Sequence, residues 1–416
     1  MKAILISIGD ELLNGQTINT NVSYISQEMN KLGISVLRHI TISDEKLEII
    51  NNADTAIALA DIVIITGGLG PTSDDITKQV LCEYFGGELI LNELALKNIQ
   101  EIFIHRGRTI NDMSKQVAYV PNNCTVFQNS MGTAPGMLFT KNKSIIVSMP
   151  GVPYEMKAMV EKSLIPYIKE EYQLPIIIHK HILTVGVGET AIAEKIEPII
   201  ATFPTNLSLA YLPSVGKVKL RLTAKGNDKQ ALQTLIDKYT KQISEVLAVN
   251  IYGYDDDVLE AVIGKILLQH NLQLGLAESC TGGYIAHLIT SISGSSQYFK
   301  GGIVSYANTV KEELLWVQQT TLETFGAVSE ETVTEMLNGA LKQLQVNVAV
   351  AISGVAGPNG GTTEKPVGTV YIGVSNGFQT KVKRFNLTKD RMKNIELSAV
   401  IALEMLRRFL WKNYPI

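Results

Sequence analysis

The chain has 416 residues, 45% of them hydrophobic and 19% charged, with a net charge of −3. That length exceeds one ordinary core and predicts two or three domains. The composition excludes a disordered chain, and the charge balance gives no electrostatic case for wrapping nucleic acid. The cysteines are Cys82, Cys124 and Cys280, with no CxxC spacing. This speaks against a zinc site or a disulfide framework and for a reducing, cytoplasmic compartment. No apolar run approaches the roughly 20 residues of a membrane helix. The opening MKAILISIGDELL soon meets Asp10 and Glu11, so it predicts a first strand and not a signal peptide.

In chain order, residues 2–8 predict a buried strand, 20–32 a helix ended by Gly33, 34–42 a strand, 49–60 a helix and 61–66 an apolar strand. This alternation predicts an α/β fold with a doubly wound parallel sheet covered on both faces. A helix over 76–85, a hairpin over 136–149 and a helix from Pro153 to about Tyr172 follow. Pro175 marks a change. Strand 176–185, helix 189–201, strands 206–212 and 217–224 and helix 228–247 form a small α+β unit. Its Gly186-Val187-Gly188-Glu189 reads as a tight strand-to-helix turn. Residues 252–257 read as a polar linker. A second alternating region then runs through helix 257–270, strand 272–278, helix 283–291, strand 302–306, helices 308–316 and 329–344, strands 346–353, 367–375 and 379–386, and helix 389–411. No internal repeat relates the two regions.

Ligands of open α/β sheets sit at the carboxyl ends of strands. Three unusual loops follow strands in the first region: Gly9-Asp10-Glu11, Thr66 to Asp75 (TGGLGPTSDD) and Met149 to Pro153 (MPGVP). Gly67, Gly68 and Gly70 let backbone amides approach phosphate oxygens. Asp10, Glu11, Asp74 and Asp75 are hard oxygen ligands suited to Mg²⁺ or Mn²⁺. The plainer reading makes Asp74-Asp75 a helix cap.

In the second region, strand 272–278 ends in Glu278-Ser279-Cys280-Thr281-Gly282-Gly283, and a helix starts at once. A serine on such a turn suits a nucleophile with an oxyanion hole. Neither His270 nor His287 follows a strand, so Lys and Tyr remain as activating groups. Tyr306 ends the next strand and Lys311 sits one turn into the helix beyond it. A buried lysine with a lowered pKa can serve as base. Ser353-Gly354 opens another Gly-rich strand-end loop, and Arg391 begins the last helix, where it can clamp a phosphate. Two alternatives stay open: Ser279 as a helix cap, and Cys280 as the nucleophile.

GGLGPTSDDIT resembles the GGTG…D…T motif of molybdopterin-binding domains. GDELLNGQTINTN, KQVAYVP, GTAPGM and PGVPYEM resemble the longer N-terminal pattern of the CinA family. AESCTGG, SGSSQYFKGGIVSYANTVK, GAVSEE and SGVAGPNGGTTEKPVGTV resemble the CinA C-terminal, nicotinamide-nucleotide amidase family almost continuously. The resemblance implies three domains: 1–172 molybdopterin-binding-like, 173–251 KH-like linker and 252–416 amidase. The linker, without a GxxG loop or basic cluster, is expected to be a spacer and not an RNA binder.

For the first domain the resemblance implies ADP-ribose pyrophosphatase activity giving AMP and ribose 5-phosphate. A divalent metal (Mg, Mn or Co) goes with it, as does Asp75 as the functional acid, with Asn111, Lys115 and Gln116 as substrate contacts. For the last domain it implies hydrolysis of nicotinamide mononucleotide to nicotinic acid mononucleotide and ammonia without a cofactor. Ser279 is then the nucleophile, Tyr306 and Lys311 its activating partners, and Thr281, Gly282, Gly283, Ser353, Gly354 and Arg391 line the substrate site. A homodimer is implied, with no nucleic-acid or membrane partner. The chain departs from the pattern at Asn359, Lys389 and Asn394. Rival readings are a non-catalytic nucleotide- or pterin-binding N-terminal module, and a DNA-uptake or repair accessory.

Overall fold

The computed structural model describes residues 1–415 apart from 73, 106 and 108. The chain divides into two compact units, Met1–Ile177 with Lys225–Lys229, and Ile178–Ala224 with residues 230 onward.

The first unit is built on a six-stranded sheet ordered Ser35–Ile42, Lys2–Ile8, Ile62–Thr66, Ser144–Met149, Gly136–Lys141, Thr125–Phe127. The first four strands are parallel and the last two antiparallel, so the expected parallel sheet is extended by a hairpin. Alternate side chains feed two cores. Ile4, Ile6, Val63 and Ile65 pack on one face, and Ala3, Leu5, Ile62 and Ile64 on the other. Burial on both faces is why these strands read as unbroken apolar runs. The helix Glu93–His105 was not anticipated.

In the second unit, the middle residues form a four-stranded sheet ordered Leu207–Ser214, Lys217–Gly226, Ile176–Val185, Ile251–Tyr254. The fourth strand corrects the expected polar linker. Ile251 and Gly253 are buried as the strand pairs antiparallel with Ile176–Val185. The last helix, Arg391–Asn413, ties this segment to the C-terminal residues. Buried Arg407 donates to Val249 O at 2.6 Å and to Ile251 O at 3.2 Å. The middle and C-terminal residues thus pack together across the expected boundary at 251/252.

The C-terminal sheet is ordered Phe299–Val304, Leu274–Glu278, Val348–Gly354, Thr369–Ser375, Thr380–Asn386, the first three parallel and the last two antiparallel. Large residues (Leu274, Leu276, Val348, Val350, Ile352) face one core. Small ones (Ala277, Ala349, Ala351) face the helix Glu330–Leu344 on the other side. A Cβ at Gly275 would stand 2.8 Å from Leu344 Cδ1, so small residues let that helix approach. The strand Phe299–Val304 starts earlier than expected and ends two residues before Tyr306, because Gly301-Gly302 lie inside it instead of breaking it. Among the described residues no helix is long and apolar enough to cross a membrane.

Candidate functional site

Both α/β sheets have a first strand flanked by the second on one side and the third on the other, which opens a crevice at the carboxyl ends. In the first unit the three expected loops meet there. Thr66 Oγ1 donates to Pro150 O at 3.0 Å, Asn21 Nδ2 to Gly151 O at 2.7 Å, and Gly67 N to Met149 O at 3.1 Å. Gly67 has φ 113°, and a Cβ there would lie 2.2 Å from Ile8 O. One at Gly68 (φ 65°) would lie 2.2 Å from Thr77 Oγ1. These two glycines serve close packing of the loop against its neighbours. Gly70 packs against the Asp75 carboxylate.

Asp10 and Glu11 open the helix Asp10–Leu13, exposed like Asp74. Half-buried Asp44, which sequence reasoning missed, belongs with them. Its carboxyl is pushed up, first by burial and then by the charges of Asp10, Glu11, Asp74 and Asp75. It escaped notice because it stands alone before a helix, outside any glycine-rich loop. Asp75 accepts from Thr72 N at 3.0 Å and from the Thr72 hydroxyl. The Thr72 hydroxyl and a backbone amide hold Asp74 low. Among the described residues no three His, Cys, Asp or Glu side chains are grouped as a metal centre requires. The expected ligand set Asp10, Glu11, Asp74 and Asp75 is thus a shared negative field and not a preformed cage. Ser73 of this loop lies outside the described residues.

Asp75, Thr72, Gly70 and Gln116 line a cavity of about 670 Å³ together with Lys78. Buried Lys78 donates to Gln116 O at 2.7 Å, and burial lowers it to about 8. Nothing in the sequence set Lys78 apart from other helix lysines. Asn111 and Lys115 are not in this lining. Asn111 caps the helix Asp112–Gln116 by accepting from Ser114 N at 2.8 Å, and exposed Lys115 pairs with Asp112 at 3.1 Å.

In the second unit, Ser279 N donates to Ile352 O at 3.0 Å and Ser305 N to Glu278 O at 2.7 Å, which locks the three parallel strand ends together. Lys311, 1% exposed, reaches across from the helix Asn308–Leu315. Its Nζ lies 3.1 Å from Ser279 Oγ and 2.6 Å from Ser305 O, both neutral partners. Burial lowers its pKa. The adjoining Cys280 thiol is pushed up to about 12, chiefly by burial. That suits an inert core thiol and not a thiolate nucleophile. Among the described residues no backbone carbonyl accepts from the amides of Thr281 or Gly283, whereas Gly282 N is spent on Ser279 O at 3.1 Å and the Cys280 amide lies against its own thiol. Free amides next to a nucleophile are what an oxyanion requires.

Ser279, Tyr306, Lys311, Ser353, Gly354 and Arg391 all line one cavity of about 280 Å³. Thr281, Gly282 and Gly283, expected beside them, are not in this lining. Tyr306, 62% exposed, does not bond Ser279; its hydroxyl accepts from Arg391 Nη2 at 3.0 Å. The Ser353 hydroxyl donates to Ala327 O at 2.6 Å, and Thr281 Oγ1 to Glu278 Oε2 at 2.7 Å, so both are engaged within the protein. Arg391 Nη1 donates to Gly357 O at 2.7 Å. Asn394 is buried, accepts from Thr388 N at 2.9 Å and donates to Ala356 O at 2.9 Å, clamping the loop. Asn359 faces both this cavity and an adjacent one of about 670 Å³ that Lys389 also lines.

Three family models match in series: a probable molybdopterin binding domain over residues 4–170, a damage-inducible protein CinA KH domain over 179–253, and a CinA C-terminal domain over 256–410. A CinA-like protein of Cytophaga hutchinsonii is 44% identical over 98% of this chain and 98% of its own. A putative competence-damage inducible protein of Caldicellulosiruptor saccharolyticus is 39% identical over 98% of this chain and 99% of its own. Among solved structures, the competence/damage inducible protein CihA of Agrobacterium tumefaciens is 39% identical, covering 36% of this chain and 91% of its own with a TM-score of 0.35.

Proposed function

The chain belongs to the CinA family, and on that premise we propose that its C-terminal part hydrolyses the carboxamide of nicotinamide mononucleotide, giving nicotinic acid mononucleotide and ammonia. One observation carries the reading: a buried lysine whose Nζ lies 3.1 Å from the hydroxyl of a strand-end serine, with no carboxylate between them. The neutral amine keeps one N–H on Ser305 O, which aims its lone pair at Ser279. Ser279 Oγ attacks the amide carbon as its proton passes to Lys311. The oxyanion is received by amides of the turn that follows the serine, residues 280–283. Lys311 returns the proton to the departing nitrogen, ammonia leaves, and an acyl ester remains on Ser279. Water, deprotonated by Lys311, then cleaves that ester and restores the serine. Arg391 retains donors beyond those spent on Gly357 and Tyr306, and they suit the substrate phosphate.

For the N-terminal part we propose cleavage of the ADP-ribose diphosphate. The shared field of Asp10, Glu11, Asp44, Asp74 and Asp75 suits a divalent ion that arrives with the substrate. Such ions are held by one or two carboxylates plus phosphate oxygens and need no protein cage. The bound ion would neutralise charge on the diphosphate and lower the pKa of a water. Lys78 offers a cation at the same cavity. The test is product analysis of the purified chain with each nucleotide. Ammonia from nicotinamide mononucleotide is expected with or without EDTA. AMP from ADP-ribose is expected only with a divalent metal and is lost in Asp75→Ala. No AMP under any metal would leave a nucleotide-binding module, and retention of DNA without either product would favour the accessory reading.

A further inference from the structure

The buried acid one residue before Ser279 has no part in the steps above. Glu278 is 1% exposed. Its Oε2 accepts from Thr281 Oγ1 at 2.7 Å and from Ile285 N at 3.0 Å, and its Oε1 from Ala286 N at 2.8 Å. A carboxylate offers only acceptors, and here donors meet both oxygens. The helix Tyr284–Thr290 thus has its first orphan amides satisfied from the preceding strand, and no side chain caps it at the usual position. The N-cap residue is Gly283, which has no side chain to offer, and Ser279, the cap expected from the sequence, lies four residues before it. The Ser279 Oγ meets Lys311 instead. The main chain of Glu278 is tied to the base as well. Its carbonyl accepts from Ser305 N at 2.7 Å, and the Ser305 carbonyl accepts from Lys311 at 2.6 Å.

We propose that Glu278 is a positioning residue that pins the turn 279–283 to the start of the helix, holding the Ser279 hydroxyl on Lys311 and the turn amides in place for the oxyanion. This rests on Ser279 being the amidase nucleophile. Glu278→Gln keeps the shape but sets an amide NH₂ against at least one donor, so the turn must shift. Losing a charge-assisted bond of this kind is expected to cut kcat about 10- to 100-fold, with KM for nicotinamide mononucleotide changed by less than about threefold. Thr281→Val removes one donor of three and is expected to lower kcat a few-fold in the same direction.

The experiment measures kcat and KM, the rate at which phenylmethanesulfonyl fluoride modifies Ser279 by intact mass, and a thermal melt for wild type, Glu278→Gln and Thr281→Val. Sulfonylation needs an activated serine but no amide substrate. Parallel losses in kcat and sulfonylation in proteins that melt well above the assay temperature support the proposal. Wild-type kcat and sulfonylation in folded Glu278→Gln overturn it. If Glu278→Gln does not fold, unchanged rates in folded Thr281→Val overturn it equally. A wild type that releases no ammonia yet is sulfonylated in a Glu278-dependent way defeats the substrate assignment and leaves the positioning role standing; a wild type inert to both defeats both.

Discussion

At the scale of single residues, the choice between Ser279 and Cys280 turns on environment. The two are adjacent in the chain, but only the serine hydroxyl meets Lys311, while burial pushes the thiol to about 12. Ser279→Ala is therefore expected to lose at least about 10³-fold in ammonia release. Glu278 does the capping, so the melt of this variant should stay within a few degrees of wild type. Cys280→Ser should retain substantial activity; an inactive, stable Cys280→Ser would hand the role to the thiol. Lys311 predicts the pH dependence. Burial lowers its pKa, and the neutral amine is the working base. On the acid side kcat/KM should rise about tenfold per pH unit and level off below the ordinary lysine value of about 10.4. The linkage has a matching sign. A lysine whose folded pKa is depressed binds fewer protons folded than unfolded, so its contribution to stability improves as pH rises between those two values. A pH–rate profile flat across the acid side, or one that persists unchanged in Lys311→Met, would remove the lysine from the base role.

At the scale of elements, the loop after Val348–Gly354 takes its form from the helix that follows it in space. Asn394 is one of the positions at which the resemblance to the family pattern is incomplete, and the structure gives it a local job. Its buried amide spans Thr388 N, Thr388 O and Ala356 O. Asn394→Ala would strand one donor and two acceptors at about 1–3 kcal/mol. It should also loosen the loop beside Arg391, which donates to Gly357 O. The expected result is a lower melting temperature and a KM raised more than kcat falls, read from melts and steady-state kinetics. A variant with normal KM would show that the loop holds its shape without this clamp. Glycine reads differently by element too. Gly301-Gly302 looks like a strand end in sequence but lies inside Phe299–Val304, because neighbouring strands supply the pairing that propensity lacks.

At the scale of the molecule, residues 252–416 share a core and buried hydrogen bonds with the middle segment. The final helix satisfies buried Arg407 with the carbonyls of Val249 and Ile251, and Val185 packs in the same core as Leu259 and Leu406. A fragment from residue 173 to the end is expected to fold and keep ammonia release. A fragment from residue 253 leaves a buried guanidinium without those acceptors and should melt lower by more than about 5 °C, or fail to express. Equal melts for the two fragments would show that the middle sheet adds nothing to the C-terminal core.

The amino-acid pattern alone determined the α/β alternation, the strand-end loops and the cluster AESCTGG, because apolar runs, glycines and polar turn residues are local signals carried by neighbours in the chain. It could place Ser279, Tyr306 and Lys311 near three strand ends but could not say which of them touch. Only the tertiary structure decided that Lys311 and not Tyr306 meets the serine, and that Glu278 and not Ser279 caps the helix. The same holds for Asp44, which shares the field of four other carboxylates, and for Asn111, which faces its own helix. The Lys311, Tyr306 and Asp44 contacts join positions about 30 or more residues apart, and the two caps, though only three to eight residues apart, depend on which way each side chain turns; no spacing along the chain encodes either.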